Sequence, residues 1–313
     1  MDVVSEINRL RQEKNAVILS HYYVDAPLQD IADHVGDSLQ LAQVAAKTTA
    51  DVIAFVGVHF MAETAKIINP DKKVLLPAPN AGCSLADSAP ADKFRAFKAE
   101  YPDHKVISYI NCSAELKTMT DVVCTSSNAL QIVESFPKNQ PLIFAPDRNL
   151  GAYLNKLTGR QMLLWDGACM VHEQYSVEKI IKLTEQHPTA EFIAHPECEA
   201  PVLLLANHIG STASLLKYVT QSPAQTFIVA TESGILHQMK KACPQKLFIP
   251  APPIDSTCGC NDCFYMKMNT LEKLHSCLQH DAPEIVLPME TIEKARIPIE
   301  RMLQISEKLT HGI

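Results

Sequence analysis

The sequence repeats itself in three long copies. A shift of 88 residues places His21 on Tyr109, and a further shift of 86 residues places Tyr109 on His195. The same two shifts align Tyr23 with Asn111 and Glu197, and Ser38 with Ser126 and Thr212. Copies of this length are domains rather than solenoid units, whose period is about 20–50 residues. The chain is therefore predicted to contain three equivalent modules that can converge on one central point.

Short apolar runs alternate with helical stretches in every copy, which is typical of parallel α/β structure. Runs that are continuously apolar and β-branched indicate strands buried on both faces. The predicted strands are 16–20, 52–56 and 73–77 in the first copy, 105–110, 141–146 and 161–165 in the second, and 191–195, 226–230 and 246–250 in the third. A fourth short strand is predicted in each copy, at 34–35, 122–123 and 208–209.

These patterns predict an α/β fold of three pseudo-threefold-related α/β/α modules with short parallel sheets and an active site at the centre. The predicted modules are 1–86 together with 270–313, then 87–172, then 173–269. The stretch 289–309 is predicted to be a terminal helix, interrupted or kinked at Pro298, that packs against the first module.

Charge and composition exclude some functions. The net charge is -7 and the sequence pI about 5.9, without a basic cluster, so no nucleic-acid partner is expected. No apolar run approaches the roughly 20 residues that span a bilayer, and no signal-peptide pattern opens the chain, so we expect a cytoplasmic protein without membrane contact. In that compartment the ten cysteines are expected to be thiols or metal ligands. We expect five of them, Cys112, Cys124, Cys198, Cys243 and Cys277, to be small buried apolar residues.

Polar residues follow the first strand of each copy. Ligands of open α/β sheets bind beyond the carboxyl ends of the strands. A single polar residue at such a place is more often a solvent-facing strand end, but the same register in all three copies favours a site. The candidates are His21, Tyr23, Tyr109, Asn111, His195 and Glu197.

A hydroxyl precedes a helical pattern in each copy, at Ser38, Ser126 and Thr212. Such residues are common N-caps of helices. A helix N-terminus with free amides and a hydroxyl is also an anion site. The two interpretations are compatible, and three such ends would suit a substrate with two or three carboxylate or phosphate groups.

Each copy also ends near cysteine. Cys83 and Cys169 close the first two copies, and Cys258, Cys260 and Cys263 close the third. One thiolate per module is a poor structural zinc site, which normally has four ligands. Three cysteines from three loops favour an iron–sulfur cluster with one iron that lacks a protein ligand and can act as a Lewis acid. Gly82 and Gly167 are expected to let the backbone approach this group closely.

Eight blocks of the sequence, in order, resemble the quinolinate synthase family. The resemblance covers roughly residues 15–280, and the blocks are HYYVDAPLQDIADHVGDS, PAPNAGCSLAD, SYINCSAELK, VCTSSNA, WDGACMVHE, AHPEC, GSTASLLKYV and CFYMKMNTLEKL. The resemblance implies an enzyme of NAD biosynthesis with three α/β modules. It implies condensation of iminoaspartate with dihydroxyacetone phosphate to quinolinate, phosphate and water, with a [4Fe-4S] cluster on three cysteines. An upstream L-aspartate oxidase or dehydrogenase is implied as the source of iminoaspartate.

The resemblance also assigns residues. The cluster ligands match Cys83, Cys169 and Cys263, and Tyr23 matches a catalytic tyrosine. Substrate-binding positions match His21, Ser38, Tyr109, Asn111, Ser126, His195, Glu197 and Thr212. Many members carry CxxCxxC in the third module, whereas here Cys258 and Cys260 are separated by one residue. Whether these two cysteines form a disulfide switch therefore stays open.

The mechanistic hypothesis gives Glu197 the role of base, with a pKa raised by burial and nearby anions. Tyr23 and His21 are expected to transfer protons on the triose phosphate. His195 and Tyr109 are expected to orient the ring precursor or to shuttle protons.

Two alternatives stay open at this point. Another three-module [4Fe-4S] enzyme, such as a reductive dehydratase, would bind a diphosphate with an apolar tail. A thiol or metal redox sensor would not need Cys83 and Cys169 to hold metal.

Overall fold

Three small parallel sheets organise the chain. The computed structural model describes residues 2–255 and 262–310, with side chains as far as residue 307. Within those residues each sheet has four strands, and its strand order along the sheet is second, first, third, fourth. The prediction of three α/β modules with short parallel sheets is confirmed.

The first module has alternating helices and strands. They are α1 (Val3–Glu13), β1 (Ala16–His21), α2 (Ala26–Ile31), β2 (His34–Gly36), α3 (Ser38–Lys47), β3 (Val52–Val56), α4 (His59–Ile68), β4 (Lys73–Leu75) and α5 (Ser84–Asp87).

The second module repeats this order and ends in a short 3₁₀ helix. Its elements are α6 (Ala91–Ala99), β5 (Lys105–Tyr109), α7 (Ala114–Lys117), β6 (Val122–Cys124), α8 (Ala129–Glu134), β7 (Leu142–Ala145), α9 (Arg148–Thr158), β8 (Leu163–Leu164) and the 3₁₀ helix His172–Gln174.

The third module is followed by two C-terminal helices. Its elements are α10 (Val177–Gln186), β9 (Glu191–Ala194), α11 (Ala200–Leu203), β10 (His208–Ile209), α12 (Thr212–Gln221), β11 (Thr226–Ala230), α13 (Ile235–Ala242), β12 (Leu247–Pro250) and α14 (Phe264–Lys267). The last two helices are α15 (Leu271–His280) and α16 (Met289–Thr310).

The strand register brings equivalent segments together. At the carboxyl end of each sheet, the first strand pairs in parallel with the second: His21 with Gly36, Tyr109 with Cys124, and Ala194 with Ile209. The first strand and the helix that follows the second strand therefore end and begin side by side. This register sets the polar strand-end residues beside the hydroxyls predicted at the helix starts.

Alternating side chains bury both faces of the third sheet. Ile193, Phe227 and Val229 belong to one apolar cluster, whereas Phe192 and Ile228 belong to another. Because consecutive strand residues point to opposite faces, the two clusters lie on opposite sides of the sheet. The first two modules share one large cluster that includes residues from both of their sheets.

The C-terminal helix α16 is not interrupted at Pro298, which was one of the two predicted outcomes. It packs against α4 of the first module, as predicted, but it also contacts β6 and α7 of the second module. Arg301 donates to the carbonyl of Asp121, and Asn128 donates to Ser306 Oγ. The helix thus fastens the first module to the second.

No helix among residues 2–255 and 262–310 combines the length and the apolar character that crossing a membrane requires.

Candidate active site

A central pocket collects side chains from all three modules. It encloses about 720 Å³ between atoms, including its opening. The twelve site residues predicted from the sequence all line it: His21, Tyr23, Ser38, Cys83, Tyr109, Asn111, Ser126, Cys169, His195, Glu197, Thr212 and Cys263. The convergence of the three copies therefore places these residues together, while their individual roles stay predictions.

Two histidines have the same arrangement in the first and third modules. The amide of Tyr23 donates to Nδ1 of His21 at 3.2 Å, and the amide of Glu197 donates to Nδ1 of His195 at 3.3 Å. Because Nδ1 accepts, the proton of the neutral ring lies on Nε2. Burial lowers the pKa of each ring to about 3. Both histidines are therefore neutral hydrogen-bond donors at physiological pH.

Glu197 is buried among donors. Tyr109 Oη donates to its Oε1 at 2.5 Å, and Nδ1 of His172 lies 3.2 Å from its Oε2. The His172 ring also stacks on the His195 ring, with 4.7 Å between centroids. One carboxylate thus accepts contacts from the second module on both of its oxygens.

The expected rise in the pKa of Glu197 is wrong. Burial by itself raises this pKa, but the opposing electrostatic effects of His172 and His195 and the hydrogen bond from Tyr109 lower it to about 2. Hydrogen bonds to the charged form favour that form. Glu197 is therefore ionised at neutral pH.

The two tyrosines of the pocket hold their protons firmly. Burial raises the pKa of Tyr23 and of Tyr109 well above the usual value, and the charge of Glu197 raises both further. Tyr23 Oη lies 2.7 Å from the hydroxyls of both Thr212 and Thr231. Each phenol is thus a neutral donor in a hydrogen-bond network.

The predicted hydroxyls do not serve as helix caps. Asp37 caps α3 and Ser211 caps α12, so Ser38 and Thr212 are the first helical residues. Ser126 precedes Asn128, which is the N-cap residue of α8. Since a neighbour occupies each cap position, the hydroxyls of Ser38, Ser126 and Thr212 lie at the pocket wall.

Asp37 and two serines join the three helix starts. Ser127 Oγ donates to Asp37 Oδ2 at 2.6 Å and lies 2.7 Å from Ser211 Oγ. Burial raises the pKa of Asp37, and amides of α3 and α12 partly offset that rise. Amides at the start of α3 already donate to Asp37. An anion at this helix start would therefore bind to the hydroxyl of Ser38 rather than to free amides.

Three thiols face the pocket from three loops. Each packs against the large apolar cluster, and none of the eight described cysteines forms a disulfide. Burial raises the pKa of Cys83 to about 12, of Cys263 to about 11, and of Cys169 well above its usual value. The charges of Cys83 and Cys263 each raise the pKa of Cys169, so the three sulfurs are close enough to interact.

Backbone amides point towards each of these sulfurs. The amides of Leu85 and Ala86 lower the pKa of Cys83, that of His172 lowers the pKa of Cys169, and those of Tyr265 and Met266 lower the pKa of Cys263. Amides that donate to sulfur are a feature of thiolates bound to iron–sulfur clusters and tune their potential. Three soft, converging, amide-supported sulfurs fit such a cluster.

A smaller donor set overlaps this one. Cys169, His172 and Glu197 each offer a ligand atom, and these atoms lie within 4.8 Å of one another. A single borderline metal such as zinc could use them. However, His172 and Glu197 already face each other at 3.2 Å, whereas the three thiols are free among the described residues. The three-thiol set therefore fits a resident metal group better.

Two cysteines of the third copy lie outside the described residues. Cys258 and Cys260 belong to the segment 256–261, so the choice of ligand within this copy rests on the position of Cys263 alone. The five cysteines predicted to be buried, Cys112, Cys124, Cys198, Cys243 and Cys277, are buried.

The sequence comparison of the three copies missed several functional candidates. His172, Asp37 and Glu232 line the pocket, and Thr231 bonds to Tyr23. Burial raises the pKa of Glu232 to about 7, and its Oε1 accepts from the amide of Cys263 and lies 3.1 Å from Lys267 Nζ. His172, Thr231 and Glu232 have no counterpart of like chemistry in the other copies, so alignment could not find them. Asp37 aligns with the hydroxyl residues Thr125 and Ser211, so only its charge sets it apart. The position of His172, three residues after Cys169, was the available signal.

Three α/β modules that bring thiols and buried acid–base groups to a shared pocket define an α/β enzyme with a candidate metal centre. The family model described as the quinolinate synthetase A protein matches residues 5–304. The chain belongs to the quinolinate synthase family and is an enzyme of NAD biosynthesis.

Curated relatives agree with the family model. Quinolinate synthase from Thermosynechococcus vestitus is 60% identical over 306 residues, which cover 98% of this chain and 96% of the relative. Quinolinate synthase from Microcystis aeruginosa is 60% identical over 305 residues, covering 97% and 95%. Quinolinate synthase from Trichormus variabilis is 60% identical over 306 residues, covering 98% and 94%.

Proposed function

We propose that this enzyme condenses iminoaspartate with dihydroxyacetone phosphate to give quinolinate, phosphate and water. The observation that carries the proposal is the convergence of three unpaired thiols with an ionised carboxylate and two neutral histidines in one buried pocket. The hydroxyl, amide and imidazole groups at the predicted positions suit small substrates that carry several negative charges, which favours this reaction over that of a reductive dehydratase.

We propose that Cys83, Cys169 and Cys263 hold a [4Fe-4S] cluster. When bound, such a cluster supplies a Lewis acid at the iron that lacks a protein ligand. The raised pKa values of the three thiols mean that each sulfur loses its proton only when metal arrives. Metal capture is therefore expected to release protons and to be disfavoured in acid.

Glu197 is the proposed base that removes a proton from iminoaspartate. Its low pKa keeps it ionised, and its Oε1 and Oε2 lie beside Tyr109 and His172, which can return or share the proton. A general base must lie within hydrogen-bond reach of the proton that it removes, and Glu197 lines the pocket.

Tyr23 and His21 are the proposed proton-transfer residues for the triose phosphate. Their rings contact each other edge to face, with 4.5 Å between centroids. His21 is neutral with its proton on Nε2, so it can donate a hydrogen bond to a carbonyl oxygen without carrying charge. His195, which donates in the same way towards Ser126, and Tyr109 are proposed to orient the ring precursor.

The remaining polar residues are proposed to hold the charged groups of the substrates. They are Ser38, Asn111, Ser126 and Thr212. Asn111 supports this role because its side-chain oxygen is buried without a hydrogen-bond partner among the described residues. A buried polar atom of this kind is costly unless a ligand satisfies it.

An L-aspartate oxidase or dehydrogenase is proposed to supply iminoaspartate, since an imine of this kind hydrolyses in water. The unpaired thiols of the described residues agree with a reducing compartment, and we propose the cytoplasm.

The test is anaerobic purification with iron and sulfide, followed by measurement of quinolinate from the two substrates together and from each alone. We expect quinolinate only when both are present, with one phosphate released per quinolinate. A protein that carries a full complement of iron and sulfide but forms no quinolinate would overturn the proposal.

A further inference from the structure

Two of the three modules share one buried backbone contact outside the pocket. In the first module Nε2 of Gln29 donates to the carbonyl oxygen of Val24 at 2.8 Å, and in the second Nζ of Lys117 donates to that of Cys112. The donor lies five residues after the acceptor in both cases. The 88-residue shift between the first two copies places Gln29 on Lys117 and Val24 on Cys112. The two contacts are therefore equivalent in the repeat.

The carbonyl groups that accept these bonds directly follow candidate site residues. Val24 follows Tyr23, and Cys112 follows Asn111. Val24 and Cys112 are both fully buried, at 0% exposure. A buried carbonyl group that water does not reach needs a partner within the protein. The short helix that comes after each loop, α2 or α7, supplies that partner.

Gln29 and Lys117 are themselves buried, away from the substrate. Gln29 is 2% exposed and Lys117 is 0% exposed, and neither is among the described residues that line the central pocket. The ammonium of Lys117 lies 5.6 Å from the centroid of the Phe60 ring, and Phe60 does line the pocket. Amide and charged side chains are seldom buried so fully unless specific contacts hold them. These two side chains can therefore act on the site only through the backbone that they contact.

Each of the two loops is also fastened to a neighbouring module. Nε2 of Gln29 donates to the carbonyl oxygen of Gly234 in the third module at 3.0 Å. In the second module the amide of Ala114 donates to Oε2 of Glu63 in the first module, also at 3.0 Å. The backbone beside each site residue is thus held both by its own helix and by another module.

The third module has a different side chain at the equivalent position. The helices α2, α7 and α11 begin at aligned residues, and a further shift of 86 residues places Lys117 on Leu203 of α11. Leu203 is buried, with 8% exposure, and its side chain cannot donate a hydrogen bond. One position of one repeated helix therefore accommodates a glutamine, a lysine and a leucine.

We propose that Gln29 and Lys117 are positioning residues. Each holds the carbonyl group that follows a site residue and thereby fixes the direction of that residue's side chain. Gln29 serves Tyr23, and Lys117 serves Asn111. The inference rests on the proposed function, in which Tyr23 transfers protons and Asn111 binds a charged group of the substrates. The hold matters at Asn111 because its side-chain oxygen has no hydrogen-bond partner among the described residues before a ligand arrives.

The test gives Lys117 the side chain that each of the other modules has at this position. Lys117→Gln keeps a donor for the carbonyl group of Cys112, whereas Lys117→Leu does not, and both variants remove the charge. In the anaerobic holoenzyme we expect Lys117→Leu to raise the KM of one substrate about 10-fold, with kcat changed less than about threefold. Lys117→Gln should keep both constants within about threefold of the wild type. Iron content should match the wild type in both variants.

Gln29→Leu should have the opposite kinetic effect. Because Tyr23 is proposed to transfer protons, we expect kcat to fall about 10-fold, with KM changed less than about threefold. A general loss of stability would not move kcat in one variant and KM in the other. Unchanged kcat in Gln29→Leu would overturn the role of Gln29.

Lys246→Leu is the matched control. Lys246 is buried, with 9% exposure, and lies 5.4 Å from the centroid of the Phe227 ring. It also donates to carbonyl groups, those of Val219 and Ser222, but neither group adjoins a site residue. Removal of this buried ammonium should leave kcat and KM unchanged even where it lowers the free energy of unfolding. An equal KM in Lys117→Leu and Lys117→Gln would overturn the role of Lys117.

Hydrogen–deuterium exchange gives a readout that does not depend on activity. The amides of residues 110–114 should exchange at least about 10-fold faster in Lys117→Leu than in Lys117→Gln, because the loop opens more often without its donor. Equal exchange would overturn the proposal even in an enzyme that forms quinolinate. If Lys117→Leu does not fold, Lys117→Gln decides: a KM within about threefold of the wild type supports the proposal, and a rise of about 10-fold overturns it. A wild-type enzyme that forms no quinolinate would count against the proposed function instead.

Discussion

Tyr109 Oη donates a hydrogen bond of 2.5 Å to Oε1 of Glu197 inside the central pocket. The bond connects the end of the first strand of the second module with the loop after the first strand of the third. In the aligned copies Tyr109 corresponds to His195, two residues before Glu197. The two residues are thus not equivalent in the repeat, and the convergence of the modules brings them into contact. This hydrogen bond favours the ionised form of the Glu197 carboxylate and fixes the orientation of its side chain.

Replacement of Glu197 tests the role of base. Glu197→Gln keeps the shape but cannot accept a proton, and we expect kcat to fall at least about 100-fold with iron content unchanged. Steady-state assay of quinolinate provides the measurement. Tyr153→Phe, which removes a half-buried phenol of α9 outside the pocket, is the control and should retain activity. Near-normal turnover of Glu197→Gln would show that Glu197 is not the base.

Replacement of pocket and core cysteines should have opposite effects on metal. Cys83→Ser removes one of three converging sulfurs, so we expect the iron bound per chain and the visible absorption to fall to a small fraction of the wild-type values. Cys277→Ala alters a thiol buried within α15 and should retain both signals. Iron analysis after anaerobic reconstitution decides the outcome. Full iron in Cys83→Ser would support the sensor alternative and contradict the cluster assignment.

The glycines that precede two of the cysteines should respond differently to substitution. A Cβ on Gly167 would lie 2.6 Å from the carbonyl oxygen of Pro146, whereas a Cβ on Gly82 would lie 3.4 Å from the ring of Tyr265. We therefore expect Gly167→Ala to lower the free energy of unfolding by about 1–3 kcal/mol and to reduce iron loading. Gly82→Ala should change either quantity little. Denaturant unfolding and iron analysis compare the two, and equal effects would show that backbone contact is not the cause.

Acid should destabilise the folded chain through its two neutral pocket histidines. The pKa of His21 and of His195 is about 3 in the folded state, below the value of 6.5 expected when unfolded. The unfolded chain therefore binds protons that the folded chain does not bind. The free energy of unfolding accordingly decreases as the pH falls below 6.5. At about 1.4 kcal/mol per pH unit for each ring, the two rings contribute a loss of about 4 kcal/mol by pH 5. Glu232 offsets part of this loss, because its raised pKa of about 7 adds stability as the pH falls.

Urea unfolding of the metal-free protein at pH 7 and pH 5 measures this loss. His21→Gln should remove about 2 kcal/mol of the loss between the two pH values, whereas His187→Gln, at the end of α10, should leave it intact. A pH dependence that is the same in His21→Gln as in the wild type would contradict the buried neutral state.

The triplicated pattern predicted the sheets well because strand burial leaves a strong local signal. Every apolar run, including the short 208–209 run, forms a strand, since continuous β-branched sequence suits a sheet covered on both faces. The continuity of α16 through Pro298 was not predictable in this way. Its packing against α4 and the second module sustains the helix where local preference would end it.

The site was predictable where the copies share a position and not where they differ. His21 and His195 were found by register, and their equivalent amide bonds show why the register matters. His172 and Thr231 have no counterpart of like chemistry in the other copies, so only the assembled modules bring them near Glu197 and Tyr23. The pKa of Glu197 was predicted in the wrong direction because burial is visible in a sequence pattern, whereas two of the neighbours that oppose its effect, His172 and Tyr109, come from another module.

Cys263 follows the last strand of the third sheet, while Cys83 precedes the second sheet altogether. During synthesis a ribosome would have to complete all three sheets before the third sulfur could join the other two. A metal group that needs all three sulfurs could then be inserted only late in folding. Its insertion would favour chains in which the first two modules have already reached their native arrangement.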